Sequence, residues 1–195
     1  MRFKQPVLKI TMATVLVGVV AMGGIVSSTN HLPTSFAATE SVTDTASEQA
    51  LKTLNSFYKP ALKGQFPGSV SDLTIGESTR EDVFELMGEP YEQGDDAESF
   101  IIYHAEMGHP GYAFLFKLDK IREMRYFGTN VERGTNIGGI TKKMLFKNWY
   151  APDSRTTIKN GKVKQTKITY LRGDYKLEFI FNSSTDLDHI NLLHA

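Results

Sequence analysis

Apolar residues return along this chain at two spacings, and each spacing predicts a different element. Leu51, Leu54, Tyr58 and Leu62 recur at steps of three and four, which places them on one face of a helix. Thr45 and Glu48 fit a reciprocal cap before it, and Pro60 removes a backbone donor, so the helix should end or kink near Tyr58. The Gly and Pro residues of Lys63–Ser69 predict a connector. Ser78 and Glu81 fit a second reciprocal cap, followed by the apolar face Val83, Phe84, Leu86 and Met87. Gly88 suits a left-handed helix end and Pro90 cannot continue the helix, so Ser78–Met87 reads as a short helix. A helix of under three turns is not stable alone and must dock on something.

The spacing then changes to two. Ser99–Ala105, Gly111–Leu118 and Ile121–Phe127 read as strands, with Tyr112, Phe114, Phe116 and Leu118 on one face of the second. Glu106–Gly111 and Asp119–Lys120 read as the turns between them. A helix followed by an antiparallel meander is the predicted unit.

The same order then recurs. Thr141–Trp149 reads as a helix, and Thr166–Arg172, Tyr175–Phe181 and Leu187–Leu193 as strands. Ile75, Gly76, Thr79, Phe84 and Pro90 return without a gap as Ile137, Gly138, Thr141, Phe146 and Pro152. Five identities in sixteen positions exceed the one or so expected by chance. The second copy lacks the reciprocal cap, because Ile140 stands where Ser78 stood. The expected fold is α+β: two tandem repeats, each a short helix packed on an antiparallel sheet, preceded by an N-terminal helix. The predicted division is an N-terminal helix and first repeat over 51–128 and a second repeat over 129–195. Two such units side by side would leave a broad sheet face open.

Charge and composition alter the picture mainly at the N-terminus. Arg2, Lys4 and Lys9 precede the apolar run Ile10–Val26, and Ser35 and Ala37 supply small residues at −3 and −1 of a cut. These features predict a signal peptide over 1–37, then a flexible tether over 38–50. The competing reading is an uncleaved membrane anchor, since about 17 apolar residues is the short end of a span. Loss of residues 1–37 would remove three cations and no acid, taking the net charge from 0 to −3. The chain has no cysteine, which excludes disulfides, thiol catalysis and Cys-based zinc sites. No basic stripe or Arg-rich run points to nucleic acid.

Candidate chemistry is sparse. His104, Glu106 and His109 put two histidines and a carboxylate within six residues, a weak metal candidate against a polar hairpin tip. Three carboxylates in Gly94–Glu98 lack the spacing of a calcium loop. Asp186, Asp188 and His189 have acid–base character but no serine or cysteine motif to activate, and Asp186–Asp188 reads as the turn into the last strand. Most aromatics, Trp149 among them, should form the core. Tyr103 and Tyr126 are the expected exposed binding anchors, with Arg125 and Arg133 beside them as a surface contact or an inter-repeat brace.

Two groups of residues carry family resemblances. Gly76, Thr79, Val83 and Leu86 through Pro90 resemble the start of a repeat in the beta-lactamase-inhibitor-like fold. Met107-Gly108, Pro110 through Tyr112, Arg125 through Gly128, Val131 through Arg133 and Gly138-Gly139 resemble the YjgB family, secreted proteins of Bacillus-type bacteria. The resemblance runs from about Leu51 to the C-terminus. It implies export and a tandem fold, and it supplies no catalytic residues. The expected function is a secreted, non-enzymatic binding module without a cofactor. It would act on an extracellular protein or cell-wall component through an open sheet face and hairpin tips. A small metal-dependent cell-surface hydrolase and an envelope protein held by its N-terminus are the alternatives.

Overall fold

The computed structural model describes residues 37–94, 96 and 99–195. The expected signal peptide or anchor, apart from Ala37, and part of the acidic turn at 94–98 lie outside the described residues. Helix α1 spans Ala37–Ser56, so the segment 38–50 is helical where a flexible tether was expected. The reason is local: residues 37–56 contain neither Gly nor Pro. Ala50 and Leu54 then anchor the helix in the core. Thr45 consequently lies within α1 and does not start it. A 3-10 turn at Pro60–Lys63 follows.

Helix α2 is Arg80–Met87 and α3 is Lys142–Asn148. α2 begins two residues later than the pattern suggested and α3 one residue later. The Ser78 hydroxyl is already engaged by the Thr74 N–H (3.0 Å), so the cap passes to Thr79. Asp82 N–H donates to Thr79 Oγ1 (3.1 Å) and Thr79 N–H donates to Asp82 Oδ2 (2.7 Å). Thr141 repeats half of this device, accepting from Met144 N–H at 3.0 Å, while Met144 has no carboxylate to return the bond. The recurrence of threonine at 79 and 141 therefore marks the true cap. Thr141→Ala should cost about 1 kcal/mol of unfolding free energy, measurable by urea titration.

Among the described residues eight strands form one antiparallel sheet in the order β1-β2-β3-β4-β8-β7-β6-β5. They are β1 Glu92–Gln93, β2 Ile101–Tyr103, β3 Gly111–Lys117, β4 Lys120–Gly128, β5 Ser154–Asn160, β6 Val163–Arg172, β7 Tyr175–Phe181 and β8 Leu187–His194. Four consecutive strands run inward from each edge, and their last members meet at the centre through Met124 opposite Leu192 and Tyr126 opposite Ile190. The edge strands β1 and β5 carry no apolar alternation and escaped the pattern. Leu118 and Asp119, both at positive φ, make the tight turn between β3 and β4.

Among the described residues the three α-helices cover one sheet face. Leu54, Val83 and Leu145 enter the same core as Phe114, Phe116, Met124, Tyr170, Phe179, Ile190 and Leu192. Alternation puts Arg125, Glu178 and Asn191 on the other face. That face is less open than expected. Glu178 and Asn191 are buried among their neighbours. Ion pairs join Arg125 to Glu123 (2.7 Å) and Lys167 to Glu178 (3.0 Å).

Candidate ligand cleft

The two tyrosines expected as exposed anchors are both buried. Tyr103 is 4% exposed and donates its hydroxyl to the Gly88 carbonyl oxygen (2.7 Å). Burial, then the charge of Glu89, pushes its phenol up to about 12, so it stays neutral. Tyr126 is 6% exposed, packs edge-on against Phe57 and donates to Asn136 Oδ1 (2.9 Å). Both point to the helix-covered face, which the sequence pattern could not show.

The arginines act within the fold. Arg125 pairs with Glu123 and stands 4.0 Å over the Phe100 ring. Arg133 reaches from the connector after β4 to the Leu187 carbonyl oxygen at the start of β8 (3.0 Å).

His104, Glu106 and His109 do not converge as a ligand set. His104 Nε2 meets Glu92 Oε1 at 3.2 Å, and Glu106 accepts from the Tyr91 hydroxyl. Among the described residues no three His, Cys, Asp or Glu side chains are grouped to hold a metal ion. His109 and Tyr126 do share a hollow of about 450 Å³ beside α1.

Asp188 and His189 make a tight local pair, Oδ2 to Nδ1 at 2.6 Å. The pair favours a charged imidazole, but burial is the larger influence and holds the histidine below its ordinary 6.5. Burial alone would raise the Asp188 carboxyl. The bonds from His189 and Asn182, with the charges of His189 and Arg133, outweigh it and hold Asp188 below 3.8. The unfolded chain therefore binds protons more readily at both groups. The histidine's contribution is complete above pH 6.5 and falls as the pH drops below it; that of Asp188 falls only below 3.8. The melting temperature should decline from pH 7.5 to pH 5, and His189→Gln should flatten that decline.

A second concave site lies elsewhere. A cleft of about 510 Å³ is lined by Asn55, Ser56, Tyr58, Lys59, Pro60, Asn148, Trp149 and Tyr150. Its two walls are the ends of α1 and α3, which the fold brings together on the helix-covered face. Trp149 caps α3, its N–H bonded to Leu145 carbonyl oxygen (2.9 Å). Its indole N–H donates to Asn55 Oδ1 (3.0 Å), tying the two walls together. The Tyr58 ring meets Trp149 edge-to-face at 5.0 Å and Tyr150 at 6.2 Å.

Arg172 fixes this floor from behind. Its Nη2 and Nε donate to the Tyr58 carbonyl oxygen (2.6 and 3.1 Å), while its guanidinium lies 3.8 Å over the Tyr58 ring. Arg172 is 6% exposed. Tyr150 is 42% exposed and forms the accessible wall, its hydroxyl donating to the Leu171 carbonyl oxygen (3.1 Å). The lining contains no carboxylate, histidine or cysteine, and Lys59 is its one cation. Such a site offers stacking surface and neutral hydrogen bonds.

Residues 54–193, which include every residue lining this cleft, match the family described as "Domain of unknown function (DUF4309)". The chain belongs to this DUF4309 family. It is 34% identical over 157 residues to the uncharacterized protein YjgB of Bacillus subtilis (strain 168), covering 80% of this chain and 81% of that protein. The crystal structure of the Bacillus subtilis DUF4309 protein superposes with a TM-score of 0.70 at 36% identity, over 76% of this chain and 99% of that one. An extracellular protein containing a SCP domain from Bacillus anthracis gives a TM-score of 0.43 at 15% identity, over 62% of this chain and 44% of that one. The DUF4309 match begins at Leu54, one residue before the first wall of the cleft.

Proposed function

We propose that this DUF4309 chain is a secreted, non-enzymatic binding module built from two like halves, and that the cleft between α1 and α3 takes its ligand. The carrying observation is the convergence of Tyr58, Trp149 and Tyr150 on a 510 Å³ cleft whose rim offers only neutral donors and one lysine. Flat aromatic surface beside Asn and Ser suits a saccharide ring: its C–H face packs on the tyrosine and its hydroxyls meet the amides. The N-terminal sequence, with its cations, apolar run and small residues before a cut, supports an extracellular setting.

Trp149 is the one tryptophan in the chain, so its fluorescence reports on the cleft directly. Titration with soluble neutral and N-acetylated oligosaccharides should shift or quench that emission in a saturable way. Tyr150→Ala should weaken binding roughly three- to tenfold, the worth of one aromatic contact. It should also lower the melting temperature somewhat, because Tyr150 meets Tyr170 edge-on at 5.2 Å and bonds the Leu171 carbonyl oxygen, so circular dichroism accompanies the titration to show that the fold persists. A flat fluorescence response to the whole panel would defeat the reading.

A further inference from the structure

The chain is neutral overall but strongly polarised. Between Lys142 and Arg172 there are nine Lys and Arg residues and one acid. Between Glu77 and Glu106 there are ten acids and one arginine. The topology sends these two segments to opposite edges of the sheet, β5–β6 with α3 at one end and β1–β2 with α2 at the other.

At the basic edge, like charges are set face to face. Lys159 of β5 is paired directly with Lys164 of β6. Like charges in opposed positions destabilise a sheet. Arg155 shares that face, because it alternates with Lys159 along β5. Lys142 joins it from α3, its Nζ donating to Thr166 Oγ1 (3.0 Å). Burial, then the charge of Arg155, lowers the proton affinity of Lys142. The ion pairs found among the described residues include none of these four cations, nor Lys162 at the hairpin tip. Arg155 and Lys159 are four residues apart on an extended strand, so the strip is about 13 Å long before Lys162 extends it.

We propose that this strip, Lys142, Arg155, Lys159, Lys162 and Lys164, holds a linear phosphate polymer that carries no nucleobases. Lysine dominates it, and lysine meets a phosphate as a point charge, without the bidentate fork that arginine makes with carboxylate and phosphate alike. Nucleic acid fits less well, because single strands need aromatic stacking platforms. The aromatic on this margin, Phe146, has the Arg155 guanidinium over its ring at 6.0 Å. A second copy presenting its acidic edge is also a poorer match. That edge ends in the two-residue strand β1, too short to pair along the seven residues of β5.

The test measures binding of the full chain to fluorescently labelled polyphosphate across a salt series. Log affinity against log salt should fall with a slope of about −3, as for roughly four neutralised phosphates. The double variant Lys159→Gln, Lys164→Gln should weaken binding at least tenfold at low salt and reduce the slope by about 1–2. Both lysines are exposed, and circular dichroism would confirm an unchanged fold. Glu81→Gln with Glu85→Gln, at the far edge, should change neither quantity. Unchanged affinity in the lysine variant would overturn the proposal, as would tighter binding to polyglutamate or to single-stranded DNA. So would an aggregating lysine variant that keeps its affinity, which would make these lysines guards of the β5 edge. Self-association lost in both the lysine and glutamate variants would assign the strip to a second copy instead. None of these outcomes depends on whether the aromatic cleft binds a saccharide.

Discussion

Trp149→Ala is expected to lower the unfolding free energy by about 3–5 kcal/mol, the range for truncating a large buried aromatic. Trp149 is 7% exposed and touches three rings: Tyr58 at 5.0 Å, Tyr170 at 5.2 Å and Phe179 at 5.4 Å. Truncation removes those contacts and leaves Asn55 Oδ1 without its indole donor. It also cuts the link between the ends of α1 and α3. Urea unfolding followed by circular dichroism measures the loss, since the variant has no tryptophan to follow. Trp149→Phe keeps most of the packing but not the N–H, and should recover more than half of the stability. Equal losses in both variants would show that the hydrogen bond to Asn55, and not ring packing, carries the effect.

The strands were legible where apolar alternation marks them. Tyr175–Phe181 occupies the expected positions because Tyr175, Leu177, Phe179 and Phe181 alternate without interruption. β5, Ser154–Asn160, was not legible: it has one apolar residue, Ile158, and forms because β6 offers it an open edge along seven paired positions. The cap of α2 was misplaced by one residue, because Ser78 and Thr79 are both good caps by type. Only the Thr74 N–H, which occupies the Ser78 hydroxyl, decides between them.

The cleft was beyond the reach of local pattern. Tyr58 and Trp149 are ninety-one positions apart, and each reads separately as a core aromatic. Their meeting depends on α1 lying across the same sheet face as α3. The same cover explains the burial of Tyr103 and Tyr126: alternation identifies which residues share a face, but not which face receives the helices. The charge polarity was present in the composition of each segment, yet it acquires meaning only once the sheet order places those segments at opposite edges.

Gly128→Ala is expected to cost about 3 kcal/mol, from a left-handed backbone and from overpacking together. Gly128 closes β4 at φ +73, where the chain leaves the sheet for the connector to α3. An added Cβ would stand within the Ile137 side chain and 2.7 Å from Asn136 Oδ1. Neither neighbour can give way at low cost. Ile137 is fully buried, and Asn136 Oδ1 accepts from both the Tyr126 hydroxyl (2.9 Å) and the Ile137 N–H (2.8 Å). Displacing Asn136 would leave the Tyr126 hydroxyl buried without that partner. Gly108→Ala, in the turn before β3, is the control for backbone strain alone: it has φ +87, and a Cβ there would meet nothing within 4 Å. That variant should lose only about 1–2 kcal/mol. The difference between the two melting curves isolates the packing of the connector on β4. Equal losses would mean that the connector yields freely at Gly128.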